Sequence, residues 1–241
     1  MDFFMELNWL AVGQIILIDI LLGGDNAIVI ALACRNLPDN LRLRGILWGT
    51  FGAIAIRIVL IAFAVTLLQM PFIKLVGGVL LFWIGTKLLS EDDSHGEING
   101  SDKLLSAIKT IVVADLVMSL DNVIAIASAA EQAAGEHQLL LVIFGILVSI
   151  PIIVWGSTLV LRLMEKVPLI ITLGAALLGY LAGGMIISDV AIKSWVQTYL
   201  PYHEFAVPGM QLHLSLPGVV GAIGVVIVGS WLARRAQKQA A

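Results

Sequence analysis

The chain has 241 residues, 59% of them hydrophobic and only 13% charged, with a formal net charge of −3. So apolar a composition excludes an ordinary soluble domain, and the slightly acidic balance offers no electrostatic footprint for nucleic acid. A single cysteine, Cys34, rules out an intramolecular disulfide.

A hydrocarbon core of about 30 Å needs about 20 mostly apolar helical residues to cross it. Seven runs approach that length: 9–33, 45–68, 71–89, 106–130, 138–164, 167–187 and 217–233. The short alternating segments of a transmembrane barrel are absent from the sequence. The expected fold is therefore an all-α polytopic membrane protein with seven transmembrane helices in one transmembrane domain, 1–241. The N-terminal MDFFMELNWL has Asp2 and Glu6 but no Lys or Arg. It lacks the basic stretch of a cleaved signal peptide, so the first span is expected to be retained.

The first span contains LLGGDNAIVIALA, which places Asp25 and Asn26 after Gly23 and Gly24, with Asp19 upstream. An aspartate at the centre of a transmembrane helix costs about 2.5–3.5 kcal/mol on insertion scales. The glycine pair either lets the helix bend or unwind and lend backbone carbonyls, or lets helices pack closely. The second span holds Arg57, whose burial calls for an acidic partner, a role as a moving gate, or a permanent structural salt bridge. Residues 90–105 form an acidic linker, in which Asp92, Asp93, His95 and Glu97 are expected to be solvated rather than metal-sensing. The fourth span carries Asp115, Met118, Ser119, Asp121 and Asn122. Residues 188–216 form a loop in which Trp195, Tyr199 and Tyr202 suggest a helix lying on the membrane surface. His203, Glu204 and His213 there, like Glu136 and His137 in a shorter loop, read as surface groups.

A shift of 96 residues lays Asp19–Ala33 on Asp115–Ala129 with seven of fifteen positions identical, including both aspartates and the asparagine. The same shift lays Gly49 on Gly145 and Gly78 on Gly174. The chain thus reads as a three-helix repeat over 9–89, a second over 106–187, and a seventh helix at 217–233. Because three is odd, the second copy crosses in the opposite sense, and such inverted repeats are typical of secondary transporters with a midplane binding site. Basic residues set the orientation: with the N-terminus outside and the C-terminus cytoplasmic, eleven Lys and Arg fall on the cytoplasmic side against Lys74 and Lys193 outside.

Seven helical residues turn through about 700°, which stacks Asp19 over Asn26 and Asp115 over Asn122. With the inversion, Asp25 falls level with Asp115 and Asp19 with Asp121, giving two carboxylate layers about 9 Å apart. Carboxylates, amide oxygens and water make a hard site for a divalent cation, and the Met118 thioether tilts the preference toward Mn²⁺ over Ca²⁺. The rival reading of the same residues is interhelical hydrogen bonding. Clustered carboxylates retain protons when no metal is present, so protons are a candidate counter-ion.

The repeated D-x5-DN-x-I-x-I-A motif resembles the TerC family of bacterial integral membrane proteins over approximately residues 10–187. The resemblance implies a multi-pass protein of the bacterial cytoplasmic (inner) membrane, grouped with three-plus-three helix transporters and implicated in Mn²⁺ export. It implies that Asp25, Asn26, Asp121 and Asn122 correspond to the family's metal-binding positions and Asp19 and Asp115 to its upstream acids. The first motif departs from the pattern in having Gly-Gly before Asp-Asn, where Ser119 precedes the second. The expectation is a transporter and not an enzyme, with Mn²⁺ as cargo and no organic cofactor. Alternatives are an accessory membrane protein, an exporter of another cation such as Ca²⁺, and, remotely, an intramembrane aspartyl protease, whose Gly-x-Gly-Asp pattern is broken by Leu22.

Overall fold

The computed structural model describes residues 9–90, 100–132, 138–200, 204–206 and 213–240; within these segments some side chains, including those of 18–23 and 121–132, lie outside the description. Long aliphatic runs become helices because a backbone surrounded by hydrocarbon must bond its own donors and acceptors. The helices are α1 (Trp9–Cys34), α2 (Asp39–Gln69), α3 (Ile73–Ser90), α4 (Gly100–Gln132), α5 (Gln138–Lys166), α6 (Leu169–Ser188), α7 (Val190–Tyr199) and α8 (Leu216–Ala240). Among the described residues, five helices contain segments long and apolar enough to cross a membrane: Asp39–Leu60, Ile73–Ser90, Leu147–Lys166, Leu169–Ser188 and Leu216–Lys238. The protein is accordingly an all-helical polytopic membrane protein.

Four prolines mark helix ends, while Pro151 lies inside α5. Pro38 precedes α2, Pro71 follows its end, Pro168 precedes α6 and Pro217 lies in the first turn of α8, positions where a missing N–H is not required by the helix ladder. Two boundaries differ from expectation. α4 begins at Gly100, inside the segment expected to be linker, because Asp102 in the first turn complements the helix N-terminus. α8 continues to Ala240, beyond residue 233, since ARRAQKQA is made of strong helix formers. The linker residues Asp92, Asp93, His95 and Glu97 lie outside the described residues, as do Glu136, His137, Tyr202 and His203.

The chain divides into two compact units, each drawing on both halves of the sequence. One comprises residues 1–65 and 99–162, the other 66–98 and 163–241. In the first, α1 packs on α4, and α2 approaches α4 through small residues. A Cβ on Gly49 would lie 2.4 Å from Ile111 Cδ1, and one on Gly52 would lie 2.8 Å from Val112 Cγ2.

The second unit is a triangle of α3, α6 and α8. α6 and α8 touch backbone to backbone: a Cβ on Gly183 would stand 2.1 Å from the Pro217 oxygen, and one on Gly179 would stand 2.4 Å from the Gly221 oxygen. α7 follows α6 and exposes Trp195 and Tyr199, whose rings are 5.3 Å apart, while burying Val196. A short antiparallel hairpin, β1 (Glu204–Ala206) with β2 (His213–Ser215), pairs Phe205 with Leu214 and was not expected from the sequence.

Asp189 organises one end of this unit. Fully buried, it accepts the Ala191 N–H at 2.8 Å as the N-cap of α7, and the Phe72 and Leu75 N–H groups at 3.0 Å each. The last two belong to the start of α3, where first-turn donors have no helical acceptor. Burial opposes its charge, but the N–H groups of Ala191, Phe72, Leu75 and Lys74 together hold its carboxyl below the ordinary aspartate range. Phe72, at φ 69°, makes the left-handed turn that brings these donors round.

Candidate metal-binding site

The first unit gathers the polar residues of its apolar helices into one place. Arg57 on α2 is 2% exposed and Asp115 on α4 is 5% exposed, and the Arg57 Nη2 group donates to Asp115 Oδ1 in a charge-assisted bond. Ser119, one turn beyond Asp115 and completely buried, joins both: Arg57 Nε donates to its Oγ at 3.0 Å, and its hydroxyl donates to Asp115 Oδ2 at 3.0 Å. A guanidinium cannot shed its proton in a protein, so its burial requires a fixed anion. Asp115 supplies one, and Ser119 orients it.

Asn26 on α1 completes the group. It lines a cavity of about 10 Å³ with Asp115, Val29, Ile30 and Ile111, space for about one water-sized particle. The asparagine is 4% exposed, and neither its Oδ1 nor its Nδ2 finds a hydrogen-bond partner among the described residues. A buried amide left without partners is costly. Asp25, half-buried beside it, accepts the Asn26 N–H at 2.9 Å and lies within electrostatic reach of Asp115 and Arg57. The structure thus brings Asp25, Asn26, Asp115, Ser119 and Arg57 into one neighbourhood, and Met118 is buried on the same helix.

The remaining sequence candidates are placed less completely. The side chains of Asp19, Asp121 and Asn122 lie outside the described residues, so the second carboxylate layer does too. Among the described residues, no group of three or more His, Cys, Asp or Glu side chains is gathered closely enough to hold a metal ion. The α1 helix runs unbroken through Gly23 and Gly24, and a Cβ on Gly24 would meet nothing within 4 Å among the described residues.

Two residues escaped the sequence reading. Thr50 is 2% exposed with a hydroxyl that finds no partner among the described residues. Lying seven residues before Arg57, it sits on the same helix face, and that spacing was its available signal. Asp189 follows an apolar run and precedes an amphipathic segment, the pattern of an N-cap.

Comparison with known proteins gives this arrangement its context. The profile of the integral membrane protein TerC family matches residues 4–238. Over 190 residues the chain is 48% identical to the uncharacterized membrane protein YjbE of Bacillus subtilis (strain 168), covering 76% of this chain and 85% of that protein. It is 26% identical over 185 residues to YceF, an uncharacterized membrane protein of the same organism, covering 73% and 70% respectively. It is 33% identical over 134 residues to the UPF0053 inner membrane protein YgdQ of Escherichia coli (strain K12), covering 48% of this chain and 56% of that one. No solved structure matches. With a repeated Asp-Asn motif on two packed helices and a family profile spanning nearly its whole length, the chain belongs to the integral membrane protein TerC family.

Proposed function

We propose that the protein is a divalent-cation transporter, with Mn²⁺ as its cargo, exporting the ion from the cytoplasm through alternating exposure of a site at Asp25, Asn26 and Asp115, completed by Asp19, Asp121 and Asn122. The observation that carries this reading is the Asn26 amide, buried without a partner among the described residues beside Asp115 in a cavity sized for one small particle. An amide oxygen and carboxylates match a hard cation. An anion would be repelled by the carboxylates. Met118 favours Mn²⁺ over Ca²⁺.

The architecture behind the reading is seven spans, N-terminus outside, built as two inverted three-helix repeats and a final helix, in a bacterial inner membrane. It is supported by the helix register: α3 begins at Ile73 and α6 at Leu169, 96 residues apart, the same offset that aligns the two Asp-Asn motifs. The direction of transport rests on the family. No covalent chemistry is assigned, and the protein is read as a non-enzyme. Carboxylates must release protons before they ligate a metal, so protons serve as the counter-ion, and a flux indifferent to the pH gradient would remove that part of the reading.

The test is uptake of Mn²⁺, Ca²⁺ and Mg²⁺ into inverted membrane vesicles containing the full chain, alongside Asp25→Asn and Asp121→Asn. The expected result is Mn²⁺ accumulation that falls by at least about tenfold in both variants, since each removes a charged ligand from a low-dielectric site. Absence of flux for all three cations, with folded protein in the membrane, would refute transport and leave an accessory membrane protein.

A further inference from the structure

Arg57 already occupies the carboxylate that a transported cation would need. We infer that Arg57 is a tethered counter-cation: its guanidinium takes the ion's place on Asp115 when the site is empty, and ion and guanidinium exclude one another. The inference rests on the cation-transport reading above.

Three observations carry it. Arg57 and Asp115 are both nearly inaccessible, and Ser119 contacts each of them. Asn26, which lines the same cavity as Asp115, has an amide oxygen that nothing among the described residues satisfies. A divalent ion bridging Asn26 and Asp115 would sit within a few ångströms of the guanidinium, and like charges at that range in a low-dielectric site repel strongly. The cavity does not hold both.

Ser119 makes the exchange local. When Arg57 withdraws, the Ser119 hydroxyl still donates to Asp115 Oδ2 and regains the lone pair that Nε had engaged, so the carboxylate keeps its orientation while the cation changes. The device is also one-sided. The register mate of Arg57 in the second half is Ile153, a buried aliphatic, so only one copy of the repeat carries an internal cation. Two consequences follow. An ion must outcompete a bonded guanidinium, which favours divalent over monovalent cations. The empty carrier also has its buried charge balanced, so it can reorient without cargo.

The test is Mn²⁺ titration calorimetry on the full chain in nanodiscs, comparing wild type, Arg57→Gln and Arg57→Lys, followed by Mn²⁺ flux in proteoliposomes. Arg57→Gln is expected to bind Mn²⁺ at least tenfold more tightly. It should also retain Mn²⁺/Mn²⁺ exchange while losing most net efflux into Mn²⁺-free buffer. Added methylguanidinium at about 10 mM should compete with Mn²⁺ in that variant and not in the wild type. Arg57→Lys, which keeps the charge without the forked geometry, should fall between the two and serves if Arg57→Gln does not fold. Wild type that binds Mn²⁺ while the variants bind it equally or more weakly, with exchange and net efflux falling together, overturns the inference and makes Arg57 a structural ion pair. Failure of wild type and variants alike to bind Mn²⁺ overturns both the inference and the transport reading.

Discussion

Replacing Asp189 with alanine should loosen the second unit at one end, and the size of the effect follows from its bonds. The substitution removes the acceptor for the N–H groups of Ala191, Phe72 and Leu75, bonded at 2.8–3.0 Å, and a charge that also acts on the Lys74 N–H. Losing an N-cap costs about 1 kcal/mol, and each of the other two bonds to a charged acceptor is worth about 1.5 kcal/mol at the lower end of its range. Water and lipid headgroups can reach a helix end and recover part of this, so the expected net loss is about 3 kcal/mol. For a chain of this size that is a fall in Tm of about 6–12 °C. Asparagine caps helices well but keeps one acceptor oxygen and no charge, so Asp189→Asn should lose about half as much.

The pH dependence has a definite sign. The folded carboxyl titrates below its ordinary value of 3.8, so its stabilisation is fully present above that value and is lost as pH falls through the lower, folded pKa. Thermal unfolding of detergent-solubilised protein at pH 7 and at about pH 3 measures both effects. The gap between wild type and Asp189→Asn should narrow at the acid end. An Asp189→Ala protein that unfolds with the wild type at pH 7, or a gap that widens in acid, would refute the role assigned to this residue.

Removing either member of the buried pair in the first unit should have unequal effects. Asp115→Asn leaves a buried guanidinium without its anion and should cost about 3–5 kcal/mol, whereas Arg57→Gln leaves Asp115 still bonded by the Ser119 hydroxyl and should cost less; thermal unfolding of both variants ranks them. The double change Arg57→Met with Asp115→Leu should recover most of the loss in the same assay. Gly183→Ala places a methyl against the Pro217 backbone oxygen, which cannot rotate away. It should destabilise the protein by about 1–3 kcal/mol. Gly184→Ala meets nothing within 4 Å among the described residues and should be neutral or stabilising by up to about 1 kcal/mol, so the adjacent pair serves as its own control in a melting experiment.

The sequence by itself determined that this is a polytopic helical membrane protein and where most of its helices run, because apolar length and backbone self-satisfaction are local properties. The expected run at 71–89 became α3 at Ile73–Ser90, and 167–187 became α6 at Leu169–Ser188. The sequence also marked Asp25, Asn26, Asp115 and Arg57, since a polar residue within an aliphatic span needs a reason wherever the chain goes. It did not decide which acid would neutralise Arg57. Asp115 does so because α2 and α4 face one another there, with Gly49 and Gly52 leaving room for the side chains of Ile111 and Val112, a packing fact involving residues about 60 positions apart. The unpartnered amide of Asn26, the bridging by Ser119 and the three-way capping by Asp189 are likewise tertiary. Each depends on which donors and acceptors two separate helices bring within about 3 Å of one another, and periodicity along one helix carries no information about that distance.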